Sequence, residues 1–225
     1  MLKNSRRSEY TFRDDPQLLN IRLNIGMTGF GKSTLLRYQL ARIQTLNRTR
    51  QKDRIIVVDP SCDDYHFDDF GRTLATASEV QQRLGPRTLR KYHLRVITRS
   101  LEVFDYLCWE AHRQEDVFLI IDEIWNFCPT KGGAQMLPPS FNLLVTESRH
   151  ARIRILGTAQ RPTQIHNNLL NLAQEVNVFR TEDLERLKQK LRTKENQERA
   201  LRLARFEFFC CKQGEPVLCS VPAKS

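Results

Sequence analysis

Residues 26–34 read Gly26-Met27-Thr28-Gly29-Phe30-Gly31-Lys32-Ser33-Thr34, and this stretch decides the fold. Gly26, Gly31, Lys32 and Ser33 occupy the fixed positions of the pattern G-x-x-x-x-G-K-[ST]. Glycines let the backbone turn tightly, so that successive N–H groups converge on the oxygens of a bound phosphate. Lys32 sets an ammonium against β- and γ-phosphates, and the Ser33 hydroxyl is of the type that ligates Mg2+. A helix beginning near Lys32 adds the positive end of its dipole to the same anion site. The flanks give the context. Ile21, Leu23 and Ile25 alternate as a strand, and Leu35, Leu36, Leu40, Ile43 and Leu46 recur at helical spacing. Strand, phosphate loop and helix in this order predict ATP and Mg2+ as ligands, with residues 26–34 contacting the nucleotide. An ordinary Gly-rich turn is the competing reading.

A chain of 225 residues suits one α/β domain with a sizeable core. With 40% hydrophobic and 28% charged residues, wholesale disorder is excluded. The net charge of +10 favours a polyanionic partner, nucleic acid first and an anionic membrane surface second. Solvated surfaces are also often basic, so charge alone does not choose. The six cysteines include no C-x-x-C pair, which argues against zinc. Cys108, Cys210 and Cys211 read as small buried hydrophobes in a reducing compartment. Residues 1–10 are basic and lack an apolar signal core, and the longest apolar run, Val117–Ile121, is too short to span a bilayer. A soluble, cytoplasmic protein with no transmembrane segment is expected.

Residues 1–18 read as a basic flank and residues 19–225 as a single domain. Asn20, Arg22 and Asn24 make the first strand unusually polar, which predicts one poorly covered sheet face there. A basic connector, Arg42 to Arg54, leads to the buried-type strand Arg54–Asp59, and Asp59-Pro60 opens an acidic loop. A short helix over 78–84, a strand over 92–98 and a helix over 101–113 follow. Val117–Ile121 is a strand ending in Asp122-Glu123, residues 129–136 a loop, and 139–149 a helix. The spacing then predicts a strand over 152–156, a helix over 163–173, a strand over 176–179 and a mostly helical segment over 182–205. Apolar runs around Lys212-Gln-Gly-Glu-Pro216 predict a small C-terminal β-hairpin. Alternating strands and helices predict an α/β fold with a largely parallel central sheet flanked by helices, and with the phosphate loop the expectation is a P-loop NTPase (ASCE/RecA-like).

Asp122 at the end of a buried strand is placed to hold Mg2+, and Glu123 to polarise the attacking water. Asp-Glu at a strand end is also a common solvated pair, and the upstream phosphate loop raises the functional reading. Gln160, in Thr158-Ala-Gln-Arg-Pro162, is a candidate to touch the γ-phosphate or the lytic water.

The order GMTGFGKST, VVDPSCDDY, LIIDE and ESRHARIRILGTAQRP resembles the FtsK–HerA superfamily of ring-forming DNA-pumping ATPases, over residues 20 to about 180. Its more specific parts are the DP…DY element and Gln160-Arg-Pro162. The resemblance implies an arginine just before the strand leading to Gln160, acting on a neighbouring subunit's nucleotide. Arg149 matches that position, with Arg152 and Arg154 close enough to compete. A guanidinium supplied in trans neutralises charge on the transferred phosphoryl group. Compact members of the superfamily are typically viral genome-packaging ATPases. The resemblance thus implies a homo-oligomeric ring, a hexamer, pumping double-stranded DNA into a preformed capsid with vertex or packaging proteins as partners. Lys131–Gln135 is a candidate DNA-contacting loop or an ordinary surface turn. A HerA-like repair or defence ATPase, or a phage-assembly ATPase that does not pump duplex DNA, are the alternatives. A small-molecule kinase should lack both the Gln-Arg-Pro element and the basic excess.

Overall fold

The computed structural model describes residues 8–11, 20–50, 54–61, 67, 72–74, 76–83, 93–131, 134–212 and 214–222. In chain order they form β1 (Ser8–Glu9), β2 (Ile21–Ile25), α1 (Lys32–Arg50), β3 (Arg54–Asp59), β4 (Arg72–Leu74) and α2 (Ala77–Arg83). Next come β5 (Leu94–Ile97), α3 (Leu101–Gln114), β6 (Val117–Ile121), β7 (Thr130–Lys131), β8 (Ala134–Gln135) and α4 (Pro139–Glu147). The chain continues through β9 (Arg154–Ala159), α5 (Asn167–Leu172), β10 (Glu175–Val178), α6 (Lys188–Leu191), α7 (Lys194–Ala200), β11 (Glu207–Cys211) and β12 (Val217–Ser220).

Among the described residues one ten-stranded sheet runs in the order β1-β12-β11-β10-β2-β9-β6-β3-β5-β4. From β10 to β4 every pairing is parallel. Strands buried on both faces must be apolar throughout, and Ile55–Val58 and Val117–Ile121 are. Helix α1 covers one face through Leu35, Leu36, Leu40 and Ile43, packed on Ile55, Val57, Ile120 and Leu156. The opposite face is covered by α3 and α4, whose Phe104, Leu107, Phe141 and Leu144 pack on Ile56, Leu119 and Ile155. Ser100 caps α3, its hydroxyl accepting from the Val103 N–H at 3.3 Å. The order matters for the site: β9 lies between β2 and β6, pairing Ile25 with Ala159 and Ile121 with Gly157. Three adjacent carboxyl ends therefore deliver Gly26, Gln160 and Asp122 side by side.

The polar residues of β2 are not on an uncovered face. Arg22 is 3% exposed and Asn24 0%, because they belong to a buried polar network. Asn24 Nδ2 donates to Gln39 Oε1 at 2.8 Å, and Gln39 Nε2 donates to Tyr10 Oη at 3.0 Å. The Tyr10 hydroxyl donates to Glu175 Oε1 at 2.5 Å, while Asn177 Nδ2 donates to both Asn24 Oδ1 and Glu175 Oε1. Arg22 and Lys212 face the other Glu175 oxygen at 3.7 and 3.2 Å. Burial and the Glu175 carboxylate push the Tyr10 hydroxyl well above its ordinary pKa. Polar residues are tolerated here because they bond one another, although Asn177 Oδ1 is a buried acceptor with no hydrogen-bond donor among the described residues.

Other differences are local. Strand β4 escaped sequence reading, since three residues carry no period. The segment expected as a loop after Cys128 contains the two-residue ladder β7–β8. The strand expected over 152–156 starts later and ends later, at Arg154–Ala159. Gly157 allows this: a Cβ there would lie 2.9 Å from Ile124 Cδ1, so the strand packs closely on the turn after β6. Residues 182–205 do not form one helix: Arg192 turns left-handed at φ 63° and Thr193 starts α7 by capping the Asn196 N–H. The C-terminal hairpin is an extension of the main sheet, with β11 antiparallel to β10. The five described cysteines are buried free thiols. Most of the N-terminal flank, most of the acidic loop beyond Ser61, Gly85-Pro86 and Gly132-Gly133 lie outside the described residues.

Candidate active site

The phosphate loop is anchored at its start. Gly26 N–H donates to Ala159 O at 3.1 Å and Met27 N–H to Arg180 O at 2.8 Å. Gly26 sits at φ 149°, and a Cβ would fall 2.6 Å from Phe179 Cβ. Gly31 sits at φ 108°, and its Cβ would fall 2.7 Å from Phe206 Cδ1. Both positions demand glycine on conformation and on space. Lys32 begins α1, is 6% exposed, and donates to Met27 O at 3.1 Å. Burial lowers its pKa, and Glu123 and Asp122 oppose that shift. Lys32, Ser33 and Thr34 line a cleft of about 350 Å3 with Glu123, Arg37, Arg205 and Phe206. A second cleft of about 490 Å3 also borders the loop, bounded by Met27, Thr28 and Gln160.

The acidic pair reaches this cleft from β6. Asp122 is 3% exposed, its N–H donating to Val58 O at 3.0 Å. Thr158 joins the two carboxylate residues: its hydroxyl donates to Asp122 Oδ1 at 2.5 Å and accepts the Glu123 N–H at 2.9 Å. Gln160, just past β9, donates to Glu123 Oε1 at 3.3 Å. The structure thus brings Lys32, Ser33, Asp122, Glu123 and Gln160 together from three neighbouring strand ends.

Arg149 lies elsewhere, exposed in the turn between α4 and β9, at the opposite end of β9 from Gln160. Six strand residues separate those ends by about 20 Å. Arg152 and Arg154 also make contacts within the chain. Arg154 is 6% exposed with its guanidinium 3.8 Å over the Phe118 ring. Arg152 is paired with Asp116 at 2.8 Å and Glu115 at 3.0 Å. Asp59 of the DP element is likewise tied inside the chain, to Arg95 at 2.7 Å.

Sequence reading missed four cleft or network residues. Arg37 follows Ser33 by one helical turn, a spacing that puts both on one face, so it carried a signal. Thr158 became meaningful only once β9 was placed beside β6. Arg205 and Phe206 arrive from the far end of the chain: Phe206, at φ 68°, donates its N–H to Phe30 O at 3.0 Å.

Among the described residues no group of three His, Cys, Asp or Glu side chains is placed to hold a metal. Mg2+ does not require one, since it is commonly held by one or two protein oxygens together with substrate phosphates and water. Ser33 and buried Asp122, hard oxygen donors beside Lys32, fit that ion.

Residues 71–208 match the family model described as Zonular occludens toxin (Zot). No curated protein matches the sequence. Among solved structures, the chain is similar to the genome packaging NTPase B204 from Sulfolobus turreted icosahedral virus 2 in complex with sulfate. The TM-score is 0.71 at 18% identity, over 92% of this chain and 99% of that one. The DNA-packaging ATPase B204 from Sulfolobus turreted icosahedral virus gives 0.67 at 18% identity, over 91% and 98%. VirB4 of Thermoanaerobacter pseudethanolicus gives 0.62 at 10% identity, over 95% and 92%. At these identities the likeness is one of fold, and it bears out the P-loop NTPase architecture.

Proposed function

The chain belongs to the Zonular occludens toxin (Zot) family, and from its site we propose that it is an ATPase that drives double-stranded DNA into a preformed viral capsid. One observation carries the ATPase reading: buried Lys32 lies beside Asp122 and Glu123, with Gln160 on Glu123, at three adjacent strand ends.

The backbone N–H groups of residues 27–34 and the α1 dipole hold the phosphates, and Lys32 neutralises β/γ charge. Ser33 and Asp122 would hold Mg2+, which when bound would supply further neutralisation of phosphate charge. Glu123 orients water and takes its proton as the water oxygen bonds to the γ-phosphorus and the bond to the β-phosphate oxygen breaks. Gln160, touching Glu123, is placed to respond to the γ-phosphate.

The similar B204 proteins support the choice of nucleotide, since structures of B204 from Sulfolobus turreted icosahedral virus 2 contain ATP-gammaS and AMPPCP. They support the cargo through B204 of Sulfolobus turreted icosahedral virus, a DNA-packaging ATPase. The charge of +10 supports a DNA partner. We place the protein in a homo-oligomeric ring, a hexamer, in the host cytoplasm or at the capsid vertex, with Arg149 completing the next subunit's site. Among the described residues no helix is long and apolar enough to cross a membrane.

The test is ATP turnover with and without duplex DNA. The wild-type protein hydrolyses ATP faster on duplex DNA, and Lys32→Ala abolishes hydrolysis. Near-normal turnover by Lys32→Ala overturns the site, and turnover indifferent to duplex DNA moves the protein to a phage-assembly ATPase.

A further inference from the structure

Hydrogen bonds hold Glu123 at every polar group. Its N–H donates to Thr158, and its carbonyl accepts from Asn126 N–H at 3.0 Å and Asn126 Nδ2 at 2.9 Å. On the carboxylate, Gln160 Nε2 donates to Oε1 at 3.3 Å, and the indole Nε1–H of Trp125 donates to Oε2 at 2.5 Å. The backbone there is left-handed, φ 47° and ψ 55°, a conformation that a non-glycine residue keeps only where its surroundings enforce it.

Packing does not account for Trp125. Its neighbours Ile124 and Phe127 are 0% exposed in the core, whereas Trp125 is 37% exposed. An indole N–H is a donor only, so it demands an acceptor and cannot take up a proton itself. Donation to a carboxylate is charge-assisted and directional. Each carboxylate oxygen keeps a further lone pair for water.

We propose that Trp125 is a positioning residue for ATP hydrolysis: its indole N–H, opposite Gln160, fixes the Glu123 carboxylate toward the phosphate cleft. This rests on the ATPase reading. Trp125 lines neither of the two clefts beside the phosphate loop, so its work falls on the chemical step and not on nucleotide binding. A small displacement of a catalytic group costs rate steeply.

Two measurements decide it. Trp109 and Trp125 are the two tryptophans of the chain, so Trp109→Phe isolates Trp125 as a fluorophore. In that protein, without nucleotide, adding Glu123→Gln changes the emission maximum and lifetime of Trp125. In the full chain, Trp125→Phe keeps a ring and loses the donor. It lowers kcat about tenfold, a modest part of what a general base contributes, with KM for ATP within about twofold. Unchanged emission, unchanged or raised kcat, or kcat and KM worsening together overturns the proposal. If Trp125→Phe fails to fold, the emission result alone decides. Absence of turnover in the wild-type protein instead sinks the ATPase reading. Wild-type turnover with an unaffected Trp125→Phe sinks only the role of Trp125.

Discussion

Arg95→Met tests why the Asp59-Pro60 element sits where it does. Asp59 ends β3 at 0% exposure, and Arg95 reaches it from neighbouring β5 at 4% exposure. Arg95 Nη2 and Nε donate to Asp59 Oδ2 at 2.7 and 3.2 Å. The other oxygen accepts from Ser61 N–H at 3.0 Å and from the Ser61 hydroxyl at 3.3 Å. Methionine keeps most of the apolar stem but leaves a buried carboxylate without its cation. Removing one partner of a buried ion pair costs about 3–5 kcal/mol. The retained Ser61 donors put this case near the lower end, about 3 kcal/mol. For a domain of this size each kcal/mol moves Tm by about 2–4 °C, so the expected loss is roughly 6–12 °C. Thermal unfolding followed by circular dichroism reads it directly. Adding Asp59→Asn removes the stranded charge and recovers at least half of the loss. A drop below about 2 °C, or a double variant less stable than Arg95→Met, refutes the reasoning that the pair is a structural tie.

Thr158→Val keeps the side-chain volume but removes the hydroxyl shared by Asp122 and the Glu123 N–H. An unmet buried donor costs about 1–3 kcal/mol, so turnover should fall about tenfold or more while Thr158→Ser stays within about threefold. Equal turnover in both variants would show that the bridge is idle. Arg149→Ala is expected to bind ATP and hydrolyse it poorly, and mixing it with Glu123→Gln subunits restores part of the activity at mixed interfaces. Mixed rings no more active than their components contradict the trans role. Affinity for duplex DNA falls by orders of magnitude between about 50 and about 200 mM salt, read by fluorescence anisotropy. A salt-insensitive interaction removes the electrostatic account of DNA binding.

What could be read from sequence was what depends on neighbours along the chain. The phosphate loop, the apolar runs of β3 and β6, the stripe of α3 and the terminal hairpin are all local patterns. So was Asp122-Glu123, because a strand end and a loop spacing define it. Polar β2 misled because its partners are distant: Gln39 lies one helix away, while Glu175 and Asn177 lie about 150 residues on. A buried polar network and an exposed polar strand look alike until those partners are placed. Thr158 and Trp125 were invisible for a similar reason, since one needs the β6–β9 register and the other a left-handed turn at Glu123. Arg152 and Arg154 could not be separated from Arg149 by position. In the structure Arg152 is ion-paired with Asp116 and Glu115, Arg154 lies over the Phe118 ring, and Arg149 stands in the turn before β9.

The most direct test compares wild-type protein with Glu123→Gln on duplex DNA, measuring bound ATP and released phosphate in the same samples. A general base contributes about 10²–10⁴-fold, so Glu123→Gln should bind ATP with Mg2+ at near wild-type affinity and release phosphate at least about a hundredfold more slowly. DNA-stimulated phosphate release by Glu123→Gln at the wild-type rate would contradict the account.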